Sequence, residues 1–342
     1  MITFNRHLLH YMITLFAIAI ACGLTYWMVI CTHMEEKLLA HPFLILASIF
    51  FAIIQKLLAP VIILIIFKSI HCSCSYFPLL WISMFSTAAN ASVPFPAGIP
   101  VRVVLQKKIL DIPYTASTSG LFIELFLSYG CMIVVCLITS FFWLTPLLKN
   151  EITPFYQPFM PVFIVLGLMF LLGCMFYFSV RYVEGRWRQG VKQTMEYLFN
   201  ANYKLLVFSI VLIGVSMLIS LARIELLLGA MGVSVSPAPL LASMLLSYLA
   251  GVISFVPMGL GIRDASLGSL LVFLGIPLVA AIAVTAMDRI IISVVYLSGS
   301  IIGTHVLGRD LLGLNEDAFP KSQSSCSIWT FTAQNRKCGF KS

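Results

Sequence analysis

The segment SFVPMGLGIRD combines the residue types that bind an anion beside the start of a helix. Pro257, Gly259 and Gly261 interrupt a long apolar run, because proline lacks a backbone donor and glycine permits backbone shapes that end a helix. Arg263 and Asp264 follow at the start of a second predicted helix. Since a helix N-terminus carries partial positive charge, an arginine beside it makes a site suited to phosphate. The segment therefore predicts phosphate recognition.

A second segment, VPFPAGIPVR, repeats this pattern earlier in the chain. The spacing Pro-x-Gly-x-x-x-Arg is the same in both, and its three members recur 161 residues later: Pro96, Gly98 and Arg102 correspond to Pro257, Gly259 and Arg263. After a shift of three further residues, the carboxylate of Glu124 corresponds to that of Asp288. Because the match covers proline, glycine, arginine and an acid rather than interchangeable apolar residues, it predicts a duplicated unit.

Charged residues also lie in or beside the apolar runs: Lys56, Glu124, Arg223, Glu225, Arg263, Asp264, Asp288 and Arg289. Each would cost about 2.5–3.5 kcal/mol at the bilayer centre, so together they would exceed the ~5–15 kcal/mol net stability of a typical protein. We therefore predict that Arg263 pairs with Asp288, and that Arg102 forms the equivalent pair with Glu124. For Glu124, Asp288 and Arg289, a purely structural ion pair that fixes helix packing is an alternative that stays open.

Two of these cations lie at comparable places in the two units. Arg223 is near the outer end of its predicted span, where its long side chain could snorkel to the head groups. Lys56 is in the middle of its span, where snorkelling is a poor explanation.

The surrounding chain has the composition of a polytopic membrane protein, with 60% hydrophobic and 10% charged residues. Six apolar runs are long enough to cross about 30 Å of hydrocarbon: 8–31, 43–67, 117–143, 159–180, 204–229 and 277–303. Two further runs, 76–95 and 237–256, end at the proline-glycine breaks. Because irregular backbone is tolerated in a membrane only inside protein or beside a wet cavity, these breaks predict re-entrant segments that line a cavity.

The predicted fold class is therefore all-α, with about six full spans plus two re-entrant broken helices. Each unit crosses the membrane an odd number of times, so the second copy must be upside down, which makes an inverted-topology repeat. Such repeats hold their site at the repeat interface near the midplane. We assign the membrane domain to residues 1–305, with repeat one about 1–145 and repeat two about 155–305. Residues 306–342 are predicted to be a disordered cytoplasmic tail.

The basic residues predict the orientation of these spans. Lys37 and Lys149 fall in loops on one side, whereas fifteen lysines and arginines fall on the side of both termini: Arg6, Lys68, Arg102, Lys107, Lys108, Arg181, Arg186, Arg188, Lys192, Lys204, Arg309, Lys321, Arg336, Lys337 and Lys341. Because positively charged loops stay in the cytoplasm, both termini are predicted to be cytoplasmic.

Several function classes are disfavoured. The net charge of +8 is explained by topology, so no nucleic-acid partner is expected. The sequence contains no H-E-x-x-H, G-x-S-x-G or P-loop motif, and no cofactor is expected. Among nine cysteines, Cys72 and Cys74 are the one close pair in a loop, which is too little for a zinc site, so no metal is expected.

The segments NASVPFPAGIPVRVVL and YLAGVISFVPMGLGIRDASLGSLLVFLGIPLVAAIAVTAMDRI resemble the transmembrane region of lysylphosphatidylglycerol synthases, over most of residues 1–305. That family includes stand-alone bacterial inner-membrane proteins, so the resemblance implies that location. Its membrane region is regarded as a lipid flippase, while a separate soluble domain transfers the aminoacyl group. We therefore expect this chain to move a lipid rather than to make one. Two departures are Ile99, where the family carries an acid, and Asp264, where it carries glutamate.

The leading hypothesis is a translocase for a lipid with an anionic or aminoacylated phosphate head group, either a phospholipid or a polyprenyl-phosphate-linked lipid. Its predicted substrate-binding residues are Pro96, Gly98, Arg102, Pro257, Gly259, Gly261, Arg263 and Asp264, and its other intramembrane charges are Lys56, Glu124, Arg223, Asp288 and Arg289. One alternative is a membrane-embedded transferase that uses Glu124 or Asp288 as a base. Another is a non-catalytic assembly partner, and a homo-oligomer is compatible with each of these hypotheses.

Overall fold

The computed structural model describes residues 41–92, 98–148, 196–197, 199–254, 259 and 261–311. These described residues form eight α-helices and no strand. The helices are α1 Pro42–Ser69, α2 Tyr76–Ser92, α3 Gly98–Leu110, α4 Tyr114–Leu148, α5 Tyr203–Ala230, α6 Pro237–Ile253, α7 Ile262–Phe273 and α8 Leu278–Leu311. The predicted spans 8–31 and 159–180, and the motif residues Pro96 and Pro257, lie outside the described residues.

Four helices among the described residues are long and apolar enough to cross a bilayer. They contain the spans Pro42–Ser69, Tyr114–Thr139, Tyr203–Ala230 and Leu278–Gly303. Their outer faces carry large exposed apolar side chains, including Phe50, Phe126 and Leu218. Such faces suit contact with hydrocarbon rather than water. The predicted all-helical, multi-pass membrane fold is therefore confirmed at this level.

The local sequence explains where these helices begin. α1 and α6 each start with a proline, Pro42 and Pro237, whose missing N–H would have no partner in the first turn anyway. α5 follows Asn202, whose side-chain oxygen accepts a hydrogen bond from the backbone N of Lys204 at 3.1 Å. At the other end of the chain, α8 continues to Leu311, six residues past the predicted domain boundary at 305.

Helices α1 and α5 pack along each other in opposite directions. Near the end of α1, the carbonyl of Ser69 accepts a hydrogen bond from the backbone N of Asn202, just before α5. Toward the start of α1, the hydroxyl of Ser48 lies 3.5 Å from the carbonyl of Arg223, late in α5. Residue numbers thus fall along α1 as they rise along α5, so the two helices are antiparallel.

Each proline-glycine break separates two helices that pack back on each other, α2 with α3 and α6 with α7. In the second hairpin a Cβ atom on Gly259 would lie 2.9 Å from the Cα of Gly251, and the φ of Gly259 is +64°. Both conditions require glycine. In the first hairpin the backbone N of Gly98 donates to Asn90 Oδ1 at 2.6 Å, and a Cβ there would collide with the carbonyl oxygen of Ser86.

The eight helices form two sets, α1–α4 and α5–α8, with corresponding lengths and contacts. Their lengths are 28, 17, 13 and 35 residues in the first set and 28, 17, 12 and 34 in the second. α2 packs against α8 as α6 packs against α4, and the contact of α1 with α4 matches that of α5 with α8. Two apolar cores are present. One contains Phe67 and Leu79 and comes mostly from the first set, and the other contains Leu240 and Leu245 and comes mostly from the second.

Candidate functional site

A cavity of about 300 Å³ lies between the two sets of helices. Its wall takes residues from α1 and α4 of the first set and from α5, α6, α7 and α8 of the second. Polar and charged side chains are concentrated in this wall: Gln55, Lys56, Glu124, Ser128, Tyr129, Ser216, Ser220, Tyr248, Arg263 and Tyr296. Polar groups that converge on a concave site between helices are typical of a binding site.

Arg263 is the residue of the predicted motif that lines the cavity. It is 8% exposed, and its Nη2 lies 3.3 Å from Asp288 Oδ2, which confirms the predicted pair. The guanidinium lies over the ring of Tyr248, 3.9 Å from Cζ to the ring centroid. Arg263 Nε is buried and has no acceptor among the described residues. Asp288 thus holds one edge of the guanidinium and Tyr248 one face, while Nε remains available as a donor.

Asp288 has a second cationic partner, Arg223 of α5. Arg223 Nε lies 2.8 Å from Asp288 Oδ1, so the two side chains form an ion pair. The Nε–H bond does not point at that oxygen, and no hydrogen bond forms between them. Arg223 Nη1 donates to Gln55 Oε1 at 3.1 Å, while Nη2 is buried without an acceptor among the described residues. Because Arg223 is 1% exposed and points into the bundle, the expectation that it snorkels to the head groups is wrong.

Lys56 enters the cavity wall from α1. Its ammonium contacts the hydroxyl of Tyr296 and lies 3.5 Å from the centroid of that ring. The described residues give Lys56 no carboxylate partner. A neutral phenol and an aromatic face stabilise an ammonium less than a carboxylate does, so Lys56 brings uncompensated positive charge to the cavity.

Arg102 and Glu124 form the other predicted pair, and the structure confirms this contact. Arg102 Nη2 lies 2.6 Å from Glu124 Oε2, and both side chains are largely buried. Glu124 lines the cavity, whereas Arg102 holds its carboxylate from α3 behind it. The pair therefore presents an acid that is already neutralised.

At the starts of the half-helices, protein oxygens bind backbone N–H groups that were predicted from the sequence to face an anion. In α7, Asp264 Oδ2 accepts a 3.3 Å hydrogen bond from the backbone N of Gly261, and the same carboxylate contacts Arg289 Nε. Arg289 Nη2 also lies 3.5 Å from the carbonyl of Gly259. At the start of α3, the backbone N of Gly98 donates instead to Oδ1 of Asn90, a residue of α2. Each hairpin thus supplies its own oxygen to the helix start, and these groups lie outside the cavity lining.

The two sets are not chemically equal around the cavity. At the constant offset of 161 residues, Lys56 corresponds to Met217, and Ile62 corresponds to Arg223. Lys56, Met217 and Ile62 all line the cavity, and Arg223 bonds to Gln55 in its wall. Each set therefore contributes one cation that the other replaces with an apolar side chain.

The sequence prediction missed several residues that complete this site, among them Gln55, Ser220, Tyr248 and Tyr296. The sequence did contain a signal for Ser216 and Ser220. Ser216, Ser220 and Arg223 are spaced four and three residues apart, so they share one helix face, which is typical of a buried polar stripe. The tyrosines carry no such signal, because an aromatic residue in an apolar run is typical of any buried or lipid-facing position.

The described residues also bear on metal binding. They contain no group of three or more His, Cys, Asp or Glu side chains that could hold a metal ion. Cys72 is disulfide-bonded, so it offers no thiolate. Burial raises the pKa of the neighbouring Cys74 thiol to about 12, although Lys68 acts in the opposite direction. A thiol that stays protonated is a poor metal ligand.

Fold and site together define a class: a multi-pass helical membrane protein with a cationic cavity between two sets of helices. Residues 12–299 match the family model described as Lysylphosphatidylglycerol synthase TM region. The chain belongs to that family, because the match spans most of its length. No curated protein and no solved structure matches the chain. The family and the helical fold make this a membrane protein linked to lipid handling.

Proposed function

We propose that the protein is a lipid translocase that takes a phosphate-bearing head group into the cavity between its two sets of helices. One observation carries this proposal: Arg263 and Lys56 line the cavity, while Asp288, the carboxylate that pairs with Arg263 among the described residues, is shared with Arg223. A buried site with more cations than anions favours an anionic guest. The family match and the apolar outer faces support a lipid as the source of that anion.

In this proposal, Arg263 and Lys56 bind the phosphate while the acyl chains stay in the bilayer. Tyr248 and Asp288 orient the Arg263 guanidinium, so little side-chain freedom is lost when the lipid binds. Asp288 competes with the phosphate for the arginine, which allows release when the cavity opens to the other side. Asp264 and the motif glycines shape the hairpin that carries Arg263 rather than contact the phosphate.

The proposed architecture has six full spans and two re-entrant hairpins in an inverted-topology repeat, with 8–31 and 159–180 as the further spans. Three observations support it: the corresponding helix lengths, the corresponding helix contacts, and the antiparallel packing of α1 and α5, which are equivalent helices. Two equivalent spanning helices that run in opposite directions are what an inverted repeat requires.

We further propose a multi-pass location in a bacterial inner membrane with both termini in the cytoplasm. The uneven distribution of basic residues supports this orientation. A phospholipid or polyprenyl-phosphate-linked lipid is the proposed partner, and a homo-oligomer stays a prediction.

The test is exposure of two tail-labelled lipids, phosphatidic acid and phosphatidylglycerol, each assayed separately with a membrane-impermeant quencher in proteoliposomes. Wild-type protein should bring inner-leaflet lipid to the outside, and Arg263→Ala should slow this at least about ten-fold, since a charge-assisted contact to phosphate is lost. Lys107→Ala is the matched control, because it also removes a cation, from an exposed pair with Asp111. Equal exposure in wild-type, Arg263→Ala and protein-free vesicles would contradict the proposal.

Two further readouts separate the alternatives. A chemically altered lipid recovered from these vesicles would indicate a transferase. If Arg263→Ala and Arg263→Lys are both lost from the membrane while Lys107→Ala accumulates normally, the arginine serves assembly instead.

A further inference from the structure

We infer that the cavity selects a doubly charged terminal phosphate, as in a phosphomonoester, over the singly charged phosphodiester of ordinary phospholipids. This inference rests on the proposed function and names the head-group chemistry that the site would prefer. It follows from the balance of charge around the cavity.

The charges at the cavity do not cancel among the described residues. Arg102 neutralises Glu124 at 2.6 Å, and Asp288 neutralises one of its two arginines, Arg223 or Arg263. The other arginine and a protonated Lys56 each leave one positive charge without a carboxylate. The excess is therefore two when an anion occupies the cavity, since a bound anion favours the charged form of Lys56. The remaining nearby pair, Asp264 with Arg289, is balanced.

Glu225 does not change this balance. It lies two residues after Arg223 on α5, which turns its side chain about 200° away on the helix. It is absent from the described cavity wall. The carboxylate of Glu225 therefore points away from the site.

The unfilled donors make the same demand. Arg263 Nε and Arg223 Nη2 are buried without an acceptor among the described residues, and the Lys56 ammonium contacts the Tyr296 phenol and its ring face. Buried donors on charged groups are expensive to leave unpaired. A dianionic phosphate has enough oxygens and enough charge to satisfy Arg263 and Lys56, which line the cavity, whereas a diester has one oxygen fewer to offer and half the charge.

The size of the cavity favours a small terminal group. A volume of about 300 Å³ is at the lower end of the roughly 300–1,000 Å³ typical of ligand pockets. A terminal phosphate needs little of that space, and a head group with a large substituent beyond the phosphate needs much more.

The experiment measures dissociation constants of three probes for the full-length protein in detergent at pH 8, where a phosphomonoester, whose second pKa is about 6, carries close to two charges. The probes are dioleoyl phosphatidic acid, its methyl diester dioleoyl phosphatidylmethanol, and water-soluble glycerol 3-phosphate. We expect the lipid monoester to bind at least about ten-fold more tightly than the methyl diester, since one additional charge-assisted contact is made.

Variants of Lys56 test where the preference originates. Lys56→Met, which installs the residue found at the corresponding position 217, should bring the monoester-to-diester ratio close to one. Lys56→Arg should keep the preference. Lys56→Gln serves as a second neutral variant if Lys56→Met does not yield monodisperse protein.

The outcomes separate this inference from the proposed function. Equal affinity of wild-type protein for monoester and diester, or a preference that survives both neutral Lys56 variants, would overturn the inference. The proposed function would still stand if lipid exposure depends on Arg263. If glycerol 3-phosphate binds as tightly as phosphatidic acid and the protein exposes no labelled lipid in proteoliposomes, the preference for a dianion holds and the anion comes from a soluble phosphomonoester rather than a lipid.

Discussion

At the scale of single residues, the buried carboxylate of Asp288 holds two arginines that come from different helices. Arg223 and Asp288 are 1% and 2% exposed, so water screens their charges much less than it screens charges at the surface. In such surroundings the loss of one partner is far more damaging than the loss of a surface pair. The cluster is therefore asymmetric: the acid is indispensable to both arginines, whereas each arginine can be spared without leaving the acid alone.

This asymmetry predicts that two substitutions in the cluster destabilise the protein by unequal amounts. Asp288→Asn should lower the free energy of unfolding by about 3–5 kcal/mol, because it leaves two buried cations unpaired. Arg223→Met should be milder, because it leaves the 3.3 Å pair of Arg263 and Asp288 intact. Thermal unfolding in detergent measures both changes.

The double variant Asp288→Asn with Arg223→Met provides the control. It should be more stable than Asp288→Asn alone, because one buried cation is removed along with its counter-charge. Destabilisations that simply add would show that the two side chains do not interact.

At the scale of elements, the two hairpins depend on backbone contacts that leave no room for a side chain. Gly259 combines a positive φ with a close approach to Gly251, and it precedes the turn into α7. Because Arg263 Cβ lies near both glycines, this contact also fixes where the arginine leaves the backbone. The same glycine contact therefore packs the hairpin and sets the position of Arg263.

We predict that Gly259→Ala is destabilising and Gly268→Ala is not. An alanine at position 259 would lie 2.9 Å from Gly251 Cα and would be strained at a φ of +64°, which costs about 1–3 kcal/mol for the backbone alone. Gly268 is on α7, where an added Cβ meets nothing within 4 Å, so alanine there should be neutral or raise helix stability. Thermal unfolding in detergent checks the pair, and equal effects would contradict the packing described for Gly259.

At the scale of the whole molecule, the serines Ser73 and Ser234 report on the relation between the two sets of helices. They lie 161 residues apart, in the loops that follow α1 and α5, and both are exposed. In an inverted repeat, equivalent loops lie on opposite sides of the membrane. In a parallel repeat they lie on the same side.

We predict that single cysteines at these two positions react from opposite sides. With the native cysteines replaced, Ser234→Cys should react with an impermeant maleimide added outside the cell, and Ser73→Cys should react only after the membrane is opened. The distribution of basic residues sets this direction. The opposite labelling, with Ser73→Cys reactive from outside, would keep the inverted repeat but reverse its orientation, and it would fit the oxidising compartment in which a disulfide such as that of Cys72 is typical. Labelling of both cysteines from one side would contradict an inverted repeat.

The sequence predicted the helix positions and two ion pairs because those features have strong local signals. Spans of apolar residues, proline-glycine breaks and the shared offset are all visible without coordinates, and they led to the pairs of Arg263 and Arg102. Arg223 was misjudged, since its distance from a helix end says nothing about which face it occupies. The contacts of Lys56 and Tyr296 depend on how α1 and α8 meet, which no local pattern encodes.

The unequal distribution of cations between the sets has a kinetic consequence. With Lys56 on one set and Arg223 on the other, the inward-open and outward-open forms of a translocase of this build would hold a phosphate with different strengths. Microscopic reversibility then sets a limit: such a difference changes how long the lipid dwells on each side, but it cannot by itself accumulate lipid in one leaflet. Net pumping would require a coupled gradient, so in sealed vesicles without one the two leaflets should approach the same labelled-lipid ratio from either starting side.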